Sequence, residues 1–184
     1  MKKIATIVLM LIGLQNIHSQ DIAPNTYNTN PIYLEDLQLE TSNYSREYLQ
    51  EKLKLDSNKI TYTKKYDYEW YGGNVVRISY YPLGLHEGKG IGDSDLYLTF
   101  KEGEYSLSGD VSIPGFSIKM LGKSFVVGET TPDQVDGWLN NGIKKSENSE
   151  YQYYDIITHL GYTTLIFLKS TNKLTSFDFD CDCQ

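Results

Sequence analysis

ITYTKKYDYEWYGGNVVRISYY, residues 60–81, decides the fold. From Ile60 to Trp70 its side chains alternate with a period of two. Tyr62, Tyr66, Tyr68 and Trp70 fall on one face, and Thr61, Thr63, Lys65, Asp67 and Glu69 on the other. That pattern predicts a half-buried strand. Gly72-Gly73 signals a hairpin turn. Val75–Tyr81, β-branched and aromatic, returns as a second strand that Pro82 stops.

Working outward, Tyr44–Leu55 predicts a helix with Tyr48, Leu49 and Leu53 on its apolar side and Asn43 or Ser42 as its cap. The residues before it, 20–35, read as an irregular arm rich in Asn, Thr and Pro. Past the hairpin, Gly84–Gly92 is a glycine-rich loop and Asp95–Lys101 a third strand. Tyr105–Leu107, Val111–Ile113 and Phe116–Met120 read as shorter strands, separated by Gly109 and by Pro114-Gly115.

A second helix opens at Thr131, with Pro132 in its first position and Gln134 completing a capping box. Val135, Trp138 and Leu139 form its stripe, and Gly142 ends it. Strands follow at Tyr151–Ile157, Tyr162–Leu168 and Leu174–Cys183, with turns at Gly161 and Asn172-Lys173. The helix caps and the glycines at 73 and 161 recur at a spacing of about 88 residues, which suggests a duplicated unit. The expected class is α+β, with antiparallel sheet packed by one or two helices. Residues 36–121 and 122–184 form two helix-plus-sheet units, or else one unrepeated domain.

The first nineteen residues have the three-part layout of a cleaved secretory signal: Lys2 and Lys3, an apolar run Ile4–Leu14, and Ser19 at the cleavage position. A run of about eleven apolar residues is too short to span a bilayer. The segment holds no cysteine for a lipid anchor, so a periplasmic or secreted protein is expected. Losing Lys2 and Lys3 takes the formal charge from −7 to −9. That balance argues against nucleic acid, whose phosphates require cationic contacts, and favours a cationic partner. Sixteen tyrosines suit both strands and interaction surfaces.

Chemistry-bearing patterns are few. His86 and His159 sit in no nucleophile or metal motif, and both read as surface or turn residues. The loop Gly88–Asp93 lacks a phosphate-binding pattern. At the C-terminus, alternation puts Phe177, Phe179, Cys181 and Cys183 on one face and Asp178, Asp180 and Asp182 on the other. The carboxylates would stand about 7 Å apart, able to meet a cation or a basic partner, or to serve only as a charged face that deters edge pairing. Export allows a disulfide between Cys181 and Cys183; free thiols and an intermolecular link remain its alternatives. Tyr62, Tyr66, Tyr68, Trp70, Tyr80 and Tyr81 form an aromatic ladder that is a candidate interaction surface, although core packing is preferred for any single member.

The capped helix Gly128–Val135 (GETTPDQV) followed by Tyr-rich antiparallel strands resembles the small exported αβ modules of the β-lactamase-inhibitor-protein and BamE-like group, the former carrying two such modules in tandem. Residues 122–183, with Tyr154-Asp155 and Leu160-Gly161-Tyr162, are similar to bacterial domains found beside toxin and immunity genes. The resemblance is one of scaffold and carries over no catalytic residue. The missing anchor cysteine departs from the BamE-like pattern.

The sequence thus predicts an exported, non-catalytic protein-binding protein, of inhibitor or immunity type, with no cofactor. A small hydrolase or glycan-acting enzyme using paired carboxylates, which needs only two acids at a set separation, and a cation-binding structural protein are the competing expectations.

Overall fold

A computed structural model describes residues 31–39, 43–67, 73–83, 94–120, 122–136, 143–158 and 161–181. Within them the chain is mostly antiparallel strand. In chain order the elements are β1 (Tyr33–Leu34), β2 (Leu37–Gln38), α1 (Arg46–Lys52), β3 (Ile60–Asp67), β4 (Gly73–Tyr80), β5 (Leu96–Phe100), β6 (Leu107–Val111), β7 (Ser117–Met120), β8 (Lys123–Val126), α2 (Pro132–Asp136), β9 (Ile143–Glu147), β10 (Tyr151–Thr158), β11 (Gly161–Leu168) and β12 (Lys173–Cys181). A 3-10 turn, Ser57–Lys59, leads into β3.

The hairpin expected at residues 60–81 is present. β3 and β4 pair from Ile60↔Tyr80 to Asp67↔Gly73. They begin an eight-stranded sheet in the order β3-β4-β5-β6-β12-β11-β10-β9, antiparallel throughout. Each half is a four-stranded run preceded by a helix, and the two last strands, β6 and β12, meet as neighbours. The glycine spacing does not follow this arrangement: Gly73 opens the second strand of the first run, whereas Gly161 opens the third of the second.

Alternation along the strands fills one face with Ile78, Leu96, Leu98, Phe100, Leu107, Val111, Tyr154, Ile156, Leu165, Phe177 and Phe179, all buried. On that face α1 contributes Leu49, α2 contributes Val135, and a second sheet of order β2-β1-β7-β8 contributes Leu34, Leu37, Ile118 and Phe125, all in one apolar cluster. Burial of such aliphatic and aromatic side chains, at about 25 cal/mol per Å² of apolar surface, is what drives the layers together.

Four local expectations are corrected. The arm ends in structure: Ile32, Leu34, Leu37 and Leu39 are buried, and a tight turn at Glu35 (φ 52°) folds β1 onto β2. Short apolar residues hidden among Asn, Thr and Pro carried too weak a period to reveal this. α1 is shorter than Tyr44–Leu55: Ser45 caps it by accepting from Tyr48 N–H at 3.2 Å, and Lys54 at φ 55° turns the chain out of it. Chain continues straight through Gly109, so β6 is one strand, not two fragments. Finally β12 is an interior strand, so its aspartates do not guard an edge. The edges of the large sheet are β3 and β9, which carry Lys64-Lys65 and Lys144-Lys145, charges of the kind that discourage further strand pairing.

The α2 start is as expected: Thr131 N–H donates to Gln134 Oε1 at 2.8 Å, the returning arm of a capping box.

Candidate functional site

The face of the large sheet turned away from the cluster is not uniform. Along β4 and β5 it is closed, with Val75 at 0%, Ser79 at 2% and Thr99 at 6% exposure. From β6 onward it opens. Register places Ser79, Tyr97, Asp110, Asp178, Thr164 and Asp155 in one row across six strands, and Arg77, Thr99, Ser108, Asp180, Tyr162 and Ile157 in the next. Ile157 and Tyr162 are direct cross-strand partners and are 61% and 50% exposed.

A depression of about 330 Å³ lies where these rows cross β6 and β12, lined by Arg77, Tyr97, Ser108, Asp110, Tyr162, Asp178 and Asp180 among others. Arg77 brings a guanidinium; the rest bring carboxylates and hydroxyls. Burial, then the charges of Asp110 and Asp155, push the Asp178 carboxyl up to about 6. Partial desolvation also raises Asp110, although its side chain keeps access to solvent. The Tyr162 hydroxyl is raised by burial first and by Asp180, Asp178, Asp110 and Asp155 after it. Asp155 accepts a hydrogen bond from Thr164 Oγ1 at 2.9 Å.

Asp178 and Asp180, expected from the sequence, are thus both on this face, while Phe177 and Phe179 are buried on the other. The aromatic ladder fares differently. Tyr62 lies on the core side, where its hydroxyl donates to Gln50 Oε1 of α1 at 2.7 Å and the Arg46 guanidinium stands 5.3 Å over its ring. Tyr80 packs against the apolar cluster, and Tyr81 is buried. At these three positions the ladder is packing rather than an open surface. Only the backbone of Tyr66 and Cys181 is described; Tyr68, Trp70, Asp182, Cys183, His86, His159 and the loop Gly88–Asp93 lie outside the described residues, as do residues 1–30.

Arg77, Tyr97, Asp110, Ile157 and Tyr162 were not singled out from the sequence. Alternation within each strand marks their side, but the strand order that gathers them is a long-range property. Among the described residues no three His, Cys, Asp or Glu side chains are placed to hold a metal ion, and no helix is long and apolar enough to cross a membrane. No family model matches the chain, and no curated protein or solved structure is significantly similar to it.

Proposed function

We propose that the protein is an exported, non-catalytic binding protein that recognises a basic protein partner through the open part of the large sheet. The observation that carries this reading is the juxtaposition of the exposed Ile157–Tyr162 pair with the acidic depression at Asp110, Asp178 and Asp180. An apolar-aromatic anchor beside charge is the composition of a recognition hot spot, and the net charge of −7 favours encounter with a cationic surface. The lysine-bearing edges speak against recognition by strand addition and for face-on docking.

The test is affinity capture of exported basic proteins on the immobilised protein, run in parallel with an Ile157→Asp/Tyr162→Ala variant. A partner held by the wild type, lost from the variant and released by salt is the expected result. Equal retention by both would remove the open face as the site.

In each half a tyrosine hydroxyl on a strand bonds the preceding helix, Tyr62 to Gln50 and Tyr154 to Asp136 at 3.0 Å, and a cation stands over the ring, Arg46 and then Lys145 at 5.0 Å. These paired features support two related helix-plus-sheet units, the layout that a resemblance to the tandem β-lactamase-inhibitor-protein modules implies.

A second reading has one specific observation behind it. Asp178, raised to about 6, stands opposite Asp110 in the depression, so one of two paired carboxyl groups holds its proton near neutral pH, the state a general acid needs. Release of reducing sugar from exported or cell-wall glycans, abolished by Asp178→Asn, is the result that would favour it over binding.

A further inference from the structure

The two four-stranded runs are joined in the large sheet by one short seam, in which β6 pairs β12 from Leu107↔Cys181 to Val111↔Phe177. Within it Asp110 is the direct partner of Asp178. Directly opposed residues of an antiparallel pair have Cα atoms about 4.5–5.5 Å apart, so their carboxyl groups are in mutual reach, and like charges there weaken the pairing.

Most of the groups around the pair are acidic or hydroxylic, and a backbone hydrogen bond at Asp178 offsets only part of the burial and repulsion. Asp180 follows on the same face of β12, Asp155 faces the pair from β10, and Tyr162 and Tyr97 flank it from β11 and β5. Arg77 of β4 is the cation that lines the depression among the described residues, and it stands in the neighbouring row. Lys144 is the register partner of Asp155, with its side chain outside the described residues. Asp178 Oδ1 is shut off from solvent and has no hydrogen-bond partner among the described residues. An unsatisfied buried acceptor of this kind is destabilising until a donor is supplied.

We propose that Asp110 and Asp178 form a proton-operated latch on the seam between the two halves. With both carboxylates ionised, repulsion loosens β6 against β12. When one proton binds a carboxylate oxygen, the new O–H donates to the opposing carboxylate, and the pair becomes a bridge across the seam. One negative charge leaves the depression in the same step. The proposal stands apart from the binding reading, because its readout is the fold itself.

The direction follows from linkage. Burial and the neighbouring carboxylates hold the folded-state Asp178 above its unfolded value. The folded state therefore binds the proton more tightly, and stability rises as pH falls through about 6 toward 4, the reverse of an ion-paired aspartate. Thermal unfolding of the full chain between about pH 7.5 and pH 5 tests it, with Asp178→Asn and Asp110→Asn alongside. The wild-type Tm is expected to rise by about 3 °C on acidification, after discounting for the part of Asp178 that meets solvent. Asp178→Asn is expected to unfold higher at neutral pH, with a flattened profile. A flat wild-type profile, or an unchanged slope in Asp178→Asn, would overturn the latch. Should a variant not fold, carboxyl ¹³C titration of the wild type decides: a midpoint for Asp178 near 6 is expected, and an ordinary aspartate midpoint refutes it.

Discussion

Gly109 of β6 and Leu98 of β5 are direct cross-strand partners, and the Leu98 side chain lies over the space that a Cβ at position 109 would need. A Cβ built on Gly109 would lie 2.5 Å from the Tyr97 carbonyl oxygen, 2.6 Å from Leu98 Cδ2 and 3.4 Å from the Phe179 ring. The first of these is backbone and cannot swing aside. The glycine is thus a packing requirement of the close approach of β5 to β6, not a strand break.

Gly109→Ala should therefore destabilise the fold, by about 1–3 kcal/mol, the usual range for overpacking a filled site. Urea unfolding monitored by tyrosine fluorescence measures it. An unchanged midpoint would mean that β5 and β6 do not approach as described.

Ser45 and Asn43 give a discriminating pair at the start of α1. Ser45 accepts from Tyr48 N–H at 3.2 Å, whereas Asn43 is exposed and precedes the cap. Ser45→Ala is expected to cost about 1 kcal/mol, as loss of a helix N-cap does. Asn43→Ala should stay within about 0.5 kcal/mol of wild type. Equal losses in denaturant titrations would contradict the assignment of the cap.

Tyr154 ties α2 to the sheet, its hydroxyl donating to Asp136 Oδ1 while its ring packs edge-on against Phe167 with centroids 5.3 Å apart. Tyr154→Phe keeps the ring contact and removes the hydrogen bond, so a loss of about 0.5–1.5 kcal/mol is expected. Combined with Asp136→Ala the losses should fall short of additive, because both changes break one interaction. Strict additivity in the double-mutant cycle would show that the two side chains do not communicate.

Tyr162→Ala and Ile157→Ser change an exposed pair on the open face. Little packing is lost, so each should move the unfolding free energy by no more than about 0.5 kcal/mol. A loss near that of a core truncation would place these side chains inside the fold and away from any partner.

Much of the local structure was legible. Period-two alternation located β3, β4, β5, β10, β11 and β12, and the capping pattern located the start of α2 at Pro132. β1, β2, β8 and β9 were not legible: they are short, and β9 carries the polar, lysine-bearing sequence of an edge. The Asp row was legible as a face, but its position was not. Alternation states which way Asp178 points along its own strand, and says nothing about whether that strand is an edge or the centre of a sheet.

The division has a physical cause. Side-chain alternation, capping and turn preference act over a few residues, so the sequence by itself determined which segments extend, which side of each is apolar, and that the chain is acidic and tyrosine-rich. Strand order is set by hydrogen bonding and burial between segments far apart in the chain. Only the tertiary structure decided that β6 meets β12, that Gly109 makes room for Leu98, and that Asp110 stands opposite Asp178. The same long-range pairing turned Tyr62 and Tyr80 toward the core and left Tyr162 beside the acidic depression.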